Sequence, residues 1–308
     1  MVKQAKKKRS NKFILGLFVL VVLFIGVTIV SSNIFSKTIL SNLREDESEV
    51  EIYREENLKE ATEGGVLVTP SPKPVTNSIP ANYGRQVSVP ILYYHYVGNN
   101  PNPEDKARDS LSISPDKFDE QMGVIASAGY SPISLDTLYA ALKGQATLPA
   151  KPIILTFDDG YIDFYINAFP ILKKYNMHTT AFIASGLVGA PAYMSWSQIK
   201  EIDATGLVVF QAHSVSHPNL NSLSPEQVRF QLAESKRVLE ETLGKPVNFM
   251  AYPYGASNGV SWEKAKETGY LGAVGTWFGK LESEGNIYNM PRIRVSGFWD
   301  LEEFKKKF

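Results

Sequence analysis

Two carboxylates and two imidazoles stand where they could share one cation. The run ILTFDDGY puts Asp158 and Asp159 directly after an apolar stretch, and QAHSVSHP sets His213 and His217 four residues apart. Neighbouring carboxylates at a strand end repel unless a cation or a proton separates them. One carboxylate with a His-x3-His pair supplies three ligands for a divalent ion and leaves a position open. We assign Asp159 to the metal, with His213 and His217, and leave Asp158 as a general base. The competing reading makes the Asp pair a plain helix cap and the histidines loop residues on the surface. On a helical turn, His213 and His217 would share one face. There are no cysteines, so thiolate sites and disulfides are excluded. Imidazole with carboxylate suits zinc, and cobalt, nickel or manganese are alternatives.

Only two further histidines exist, His95 and His178. His95 sits in LYYHYV after a short apolar run, where it could act as a general acid. Packing among the neighbouring aromatics is its plainer fate. His178 precedes an apolar run and reads as structural. AYPYG is a turn that could aim the backbone N–H of Tyr254 at a developing oxyanion. Arg292 opens the run RIRV and could pair with Asp158 and tune its pKa; a purely structural ion pair is the alternative. Tyr161, Trp196 and Tyr252 are candidates to contact a sugar, against the commoner outcome of core packing.

Those residues must be positioned by something, and the pattern around them alternates strand and helix. Apolar runs at 89–94, 151–157, 179–184, 207–212 and 246–252 read as strands, with 271–276 and 292–295 as closing ones. Between them come helix signals: Ser114 and Pro115 with Gly129, Ser134 with Gly144, a helix running to about Tyr175, one near 195–204, and Ser224, Pro225 and Gln227 with Gly244. This alternation argues for a parallel α/β architecture, and about seven strands fit a barrel better than an open sheet. His95, Asp158, His213 and Tyr254 each follow a strand, so a barrel would gather them at its carboxyl-terminal face.

The amino-terminal part has a different character. Lys3, Lys6, Lys7, Lys8, Arg9 and Lys12 precede an uncharged apolar run over 13–30. At about 1.5 Å per residue that run spans roughly 27 Å, close to a bilayer core. The expectation is a cytoplasmic basic tail at 1–12, a transmembrane signal anchor at 13–30 and an extracellular linker at 31–86, leaving 87–308 as the catalytic domain. A cleaved signal peptide is the rival, and either way the domain is exported. Residues 44–63 hold nine acidic side chains against three basic ones, and TPSPKPV follows, both suited to a solvated spacer. A formal net charge of zero gives no sign of a nucleic-acid partner. A monomer is expected.

TFDDGY, HSVSHP and YPYG, in this order and spacing, resemble the first three motifs of the polysaccharide deacetylases, carbohydrate esterase family 4, over roughly residues 88–300. The resemblance implies a distorted (β/α)7 barrel. It implies Asp158 as base, and Asp159, His213 and His217 around a divalent metal. Two departures stand out. The family's third motif carries an arginine before Pro-Tyr, whereas Phe249, Met250, Ala251 and Tyr252 stand here, and no histidine follows His217. The early YYHYV element instead resembles the poly-N-acetylglucosamine deacetylase branch, which implies His95 as the acid; Arg292 could stand in for the missing arginine. The expected activity is hydrolysis of N-acetyl groups on an extracellular glycan such as poly-N-acetylglucosamine. Peptidoglycan N-acetylglucosamine, xylan O-acetyl groups and a non-catalytic glycan-binding role are the alternatives.

Overall fold

The computed structural model describes residues 84–102 and 104–308, and these all fall in one compact unit, Ser78–Phe308. The expected basic tail, anchor and most of the linker, 1–83, lie outside the described residues. Among the described residues no helix is long and apolar enough to cross a membrane.

The domain is α/β, built on a curled parallel sheet. Seven strands follow one another: β1 (Ile91–Tyr94), β2 (Pro152–Phe157), β3 (Thr179–Ile183), β4 (Val208–Ala212), β5 (Phe249–Ala251), β6 (Gly272–Val274) and β7 (Ile293–Arg294). Their spatial order is β6-β5-β4-β3-β2-β1-β7, and the short strand Ser131–Pro132 pairs beside the start of β2. Every pairing in this sheet is parallel. The two ends of the sheet approach each other through residues 290–294. Gly275 donates to the carbonyl of Met290, Met290 donates to Ala273, and β7 pairs with β1 at Ile293–Leu92 and Arg294–Tyr93. The curl and the strand count are consistent with the expected seven-stranded barrel.

Period-two alternation divides the strands between two apolar layers. Leu92, Leu155, Ile183 and Phe210 pack with helix residues such as Phe118, Leu172, Ile199 and Leu232. Ile91, Ile154, Phe182, Phe249 and Val274 join a second cluster with Leu135 and Leu138. Full burial of such side chains contributes about 1.5–3 kcal/mol each. Within β2 the second set runs Ile154, Thr156, Asp158, so the same alternation carries Asp158 to the mouth of the sheet.

The helices start where their caps are written. Ser114 accepts from Lys117 N ahead of α1 (Pro115–Ser127), and Ser134 accepts from Thr137 N ahead of α2 (Leu135–Leu142). Ser195 with Gln198, and Ser224 with Gln227, form capping boxes on α4 (Trp196–Asp203) and α5 (Pro225–Leu243). Asn258 caps α6 (Gly259–Glu267). The helix after β2 is less regular than its pattern predicts. A π turn, Phe164–Ala168, precedes α3 (Phe169–Tyr175), because Pro170 cannot donate a backbone hydrogen bond into a regular ladder. The sequence also concealed the antiparallel pair Gln86–Ser88 with Leu281–Ser283 and the two-residue pair Tyr96–Val97 with Ser112–Ile113. Each is too short to show periodicity.

Candidate active site

Six residues other than glycine have positive φ among the described residues, and four of them are here: Asp159 (74°), Ser214 (62°), His217 (58°) and Tyr254 (56°). Such backbone is costly for side chains with a Cβ and persists where the surroundings enforce it. At Asp159 the turn is tight, since Gly160 donates back to Asp158 O at 3.0 Å. It sends the two neighbouring carboxylates in different directions.

The His-x3-His segment is a loop, not the helical turn that the spacing suggests. Pro218 disfavours helical backbone at His217. Ser214 Oγ accepts from His217 N at 3.0 Å, and Gln231 Oε1 accepts from Val215 N and Ser216 N. Gly186 donates to Val215 O at 2.8 Å, and a Cβ at Gly186 would meet that oxygen at the same distance, so the two loops touch backbone to backbone. This frame, rather than a helix face, brings both imidazoles to one point.

That point is Asp159 Oδ1. His213 Nε2 lies 3.2 Å from it and His217 Nε2 lies 3.1 Å from it. His213 Nδ1 lies 2.8 Å from Ala251 O, so that nitrogen carries the proton and Nε2 presents a lone pair in the neutral ring. Asp159 Oδ1 is buried and accepts no hydrogen bond, despite its two imidazole neighbours. Lone pairs facing one another across about 3 Å call for a cation between them. All three ligand atoms lie within 4.8 Å of one another, so the donor set fits a divalent metal. Burial alone would raise Asp159, but the two imidazoles set against it, His217 foremost, hold it well below the usual carboxylate range. Burial would likewise lower His213, yet the two carboxylates beside it, Asp159 and Asp158, raise it.

Asp158 turns away from this cluster toward Arg292. The guanidinium is fully buried and grips both oxygens, Nη1 to Oδ1 at 2.8 Å and Nη2 to Oδ2 at 2.7 Å. It is itself fixed by Nε donating to Gly275 O, by Nη1 donating to Thr156 Oγ1, and by lying 4.2 Å from the Tyr93 ring centroid. Desolvation would raise the Asp158 pKa; the Arg292 charge and its paired bonds overcome that and lower it.

His95 is half-buried, and burial depresses its imidazole below the ordinary value against the pull of Asp159 and Asp158. It lines a cleft of about 600 Å³ with Tyr93, Tyr254, Phe278, Arg292 and Trp299. The Tyr254 ring packs edge-on against His217 at 4.6 Å, so the cleft adjoins the proposed metal ligands. His178 is exposed just before β3, at the rim opposite Asp159.

The sugar-contact candidates fare differently. Tyr161 is half-buried and stacks on Tyr96 at 4.1 Å and against Tyr193 at 5.0 Å. Trp196 begins α4 and rests on the core. Tyr252 is corrected outright: it is fully buried and its hydroxyl donates to Tyr288 O at 2.8 Å, so its ring cannot meet a glycan. Its alternation within PVNFMAY turns it into the helix-side layer. Sequence reasoning passed over Thr156, Phe278 and Trp299. Thr156 carries a signal, sitting two residues before Asp158 on the same strand face. Phe278 and Trp299 lie in the loops after β6 and β7, in GTWFG and SGFWD, where apolar rings outside any periodic element were a sign of exposure.

Residues 145–273 match the family model described as polysaccharide deacetylase. The Streptococcus pyogenes deacetylase PplD, solved with acetate, superposes with a TM-score of 0.67 at 34% identity, covering 72% of this chain and 99% of that one. A Staphylococcus aureus poly-beta-1,6-N-acetyl-D-glucosamine N-deacetylase is 29% identical over 61% of this chain and 69% of its own length. The Escherichia coli protein of that name is 25% identical over 67% of this chain, but the match spans only 37% of the bacterial relative. With the motifs, the curled parallel sheet and the Asp-His-His cluster in place, these likenesses make the chain a member of the polysaccharide deacetylase family.

Proposed function

We propose that this deacetylase hydrolyses N-acetyl groups of an extracellular glycan such as poly-N-acetylglucosamine, using a divalent metal, with zinc favoured. The observation that carries the reading is the orphaned Asp159 Oδ1 between two imidazole nitrogens, beside a carboxylate clamped by a buried arginine. Asp159, His213 and His217 would hold the metal. When bound, it would supply Lewis acidity and bring the pKa of water toward neutrality.

The chain's own groups then have distinct tasks. Asp158, kept ionised by Arg292, accepts the proton of the attacking water at a carboxylate oxygen. The backbone N–H of Tyr254 faces the oxygen of the acetamide carbonyl as negative charge builds there. His95 delivers a proton to the nitrogen as the C–N bond breaks, which an amide needs because its amine leaves poorly unprotonated. Acetate and a glucosamine unit are the products. The acetate bound by the Streptococcus pyogenes relative and the poly-N-acetylglucosamine named for two others support this substrate class. The basic and apolar run over 1–30 supports tethering at the outer face of a membrane.

Acetate release from poly-N-acetylglucosamine and chitooligosaccharides, with and without chelator, tests the reading. Release that chelation abolishes and zinc or cobalt restores supports it; release indifferent to chelator removes the metal role. Purified peptidoglycan and acetylxylan in the same assay separate the alternative polymers. Metal binding without acetate release from any of them would favour a glycan-binding role.

A further inference from the structure

The cleft beside His95 has a charge of one sign. Its ionisable lining is His95, Arg292, Arg294 and Lys307, besides the tyrosines, and it includes no carboxylate residue. The chain as a whole is neutral, so this is a local concentration. Arg292 is compensated by Asp158. Arg294 is not: it is exposed, and among the described residues no carboxylate pairs with it. It follows Arg292 by two positions on β7, hence on the same strand face one step nearer solvent, level with Tyr93 of β1. Lys307 lies over the Trp299 ring at 4.6 Å and 3.5 Å from Glu303, so its charge is partly committed. Phe278, 71% exposed, and Trp299 offer apolar ring faces at the same cleft.

We infer that the cleft holds an anion subsite at Arg294, and that the preferred glycan carries a phosphodiester or carboxylate on the sugar next to the acetamido group to be cleaved. This rests on the deacetylase reading above. A guanidinium presents paired donors that match the oxygens of either anion. The rings of Phe278 and Trp299 flank the adjoining sugar without adding charge. The same field acts in reverse on the product. Each hydrolysed acetamide becomes an ammonium, and an ammonium beside Arg294 is repelled. Sugars next to one already deacetylated are therefore disfavoured.

The test uses oligosaccharides of one length with an N-acetylated target sugar and a neighbour bearing a phosphodiester, a carboxylate, a neutral acetamide or a free amine. Wild-type kcat/KM should fall in the order anionic, neutral, cationic, mostly through KM, and the spread should shrink as salt is raised. Arg294→Gln should cut the anionic-to-neutral ratio about tenfold, with Arg294→Lys between the two. The phosphodiester and carboxylate arms identify the anion. An absence of order by charge in the wild type, or an unchanged ratio in Arg294→Gln, overturns the subsite. If no oligosaccharide releases acetate, the proposed reaction fails instead. Calorimetric affinities of the same series for wild type and Arg294→Gln then decide the subsite alone, equal affinities counting against it.

Discussion

Arg292 holds both oxygens of Asp158 from across β1, the two residues meeting at 2.7 and 2.8 Å although 134 positions separate them in the chain. The pair is buried, and Gly275, Thr156 and Tyr93 immobilise the guanidinium. A lysine could not reproduce two parallel bonds.

Removing that grip has a signed consequence. Arg292 lowers the Asp158 pKa. Arg292→Gln should raise it and move the acid limb of kcat/KM to higher pH, with activity at pH 7 reduced about 10²–10³-fold. Asp158→Asn should lose activity at every pH. A buried charge left unpaired also costs about 3–5 kcal/mol of stability, so thermal unfolding is measured alongside. An unmoved acid limb in Arg292→Gln would mean that Asp158 is tuned by something else.

The metal ligands give a second pH test, with the opposite sign for protein alone and for metal binding. His213 is raised in the folded protein, so its stabilisation is fully present below the unfolded value and is lost as pH rises through the folded one. Metal-free protein should therefore lose thermal stability as pH climbs above about 6.5. Metal affinity should rise over the same range, because the ion competes with protons for Nε2. Asp159→Asn and His213→Ala should each weaken metal binding by at least 10²-fold, as read by calorimetry.

His95 is tested by leaving group. An acetyl ester leaves as an alcohol or phenol with little help, whereas an acetamide needs a proton on nitrogen. His95→Ala should lower acetamide hydrolysis by about 10²–10⁴-fold and leave activated acetyl esters much less affected. Equal losses on both substrates would take His95 out of proton delivery.

Away from the cleft, Glu282 is fully buried on the strand paired with Gln86–Ser88, and neither carboxylate oxygen has a partner. Desolvation pushes it up to about 9. The folded form keeps the proton that the unfolded chain releases, so this residue lowers stability progressively as pH rises from the ordinary glutamate range toward 9. Glu282→Gln should raise Tm by roughly 10 °C at pH 8 and by little at pH 4.5. A Tm gain independent of pH would point to packing instead.

Much of this domain could be read directly from residue order. Strand-helix alternation, the serine caps and the glycine stops have local causes, and the corresponding elements lie close to where those signals put them. The Asp-His-His cluster was readable because few residue types bind a metal and only four histidines had to be placed. What escaped depends on distant or irregular backbone. The loop at His213–His217 depends on Gln231 and Gly186, which no helical spacing rule contains. Tyr252 and Phe278 are both aromatic near a turn, yet one is buried and the other exposed, and only the way the strands face decides between them.

The residues that bring the two edges of the sheet together also carry Arg292. Gly275, whose carbonyl receives the Arg292 Nε proton, follows the edge strand β6, and Tyr93 and Thr156 lie on β1 and β2 toward the other end of the sheet. A chain that has assembled every preceding strand but not yet docked 290–294 therefore has its histidines in hand and no tuned carboxylate. Turnover in this fold reports the completion of the curled sheet, and a partly folded or clipped enzyme should bind metal while remaining silent toward substrate.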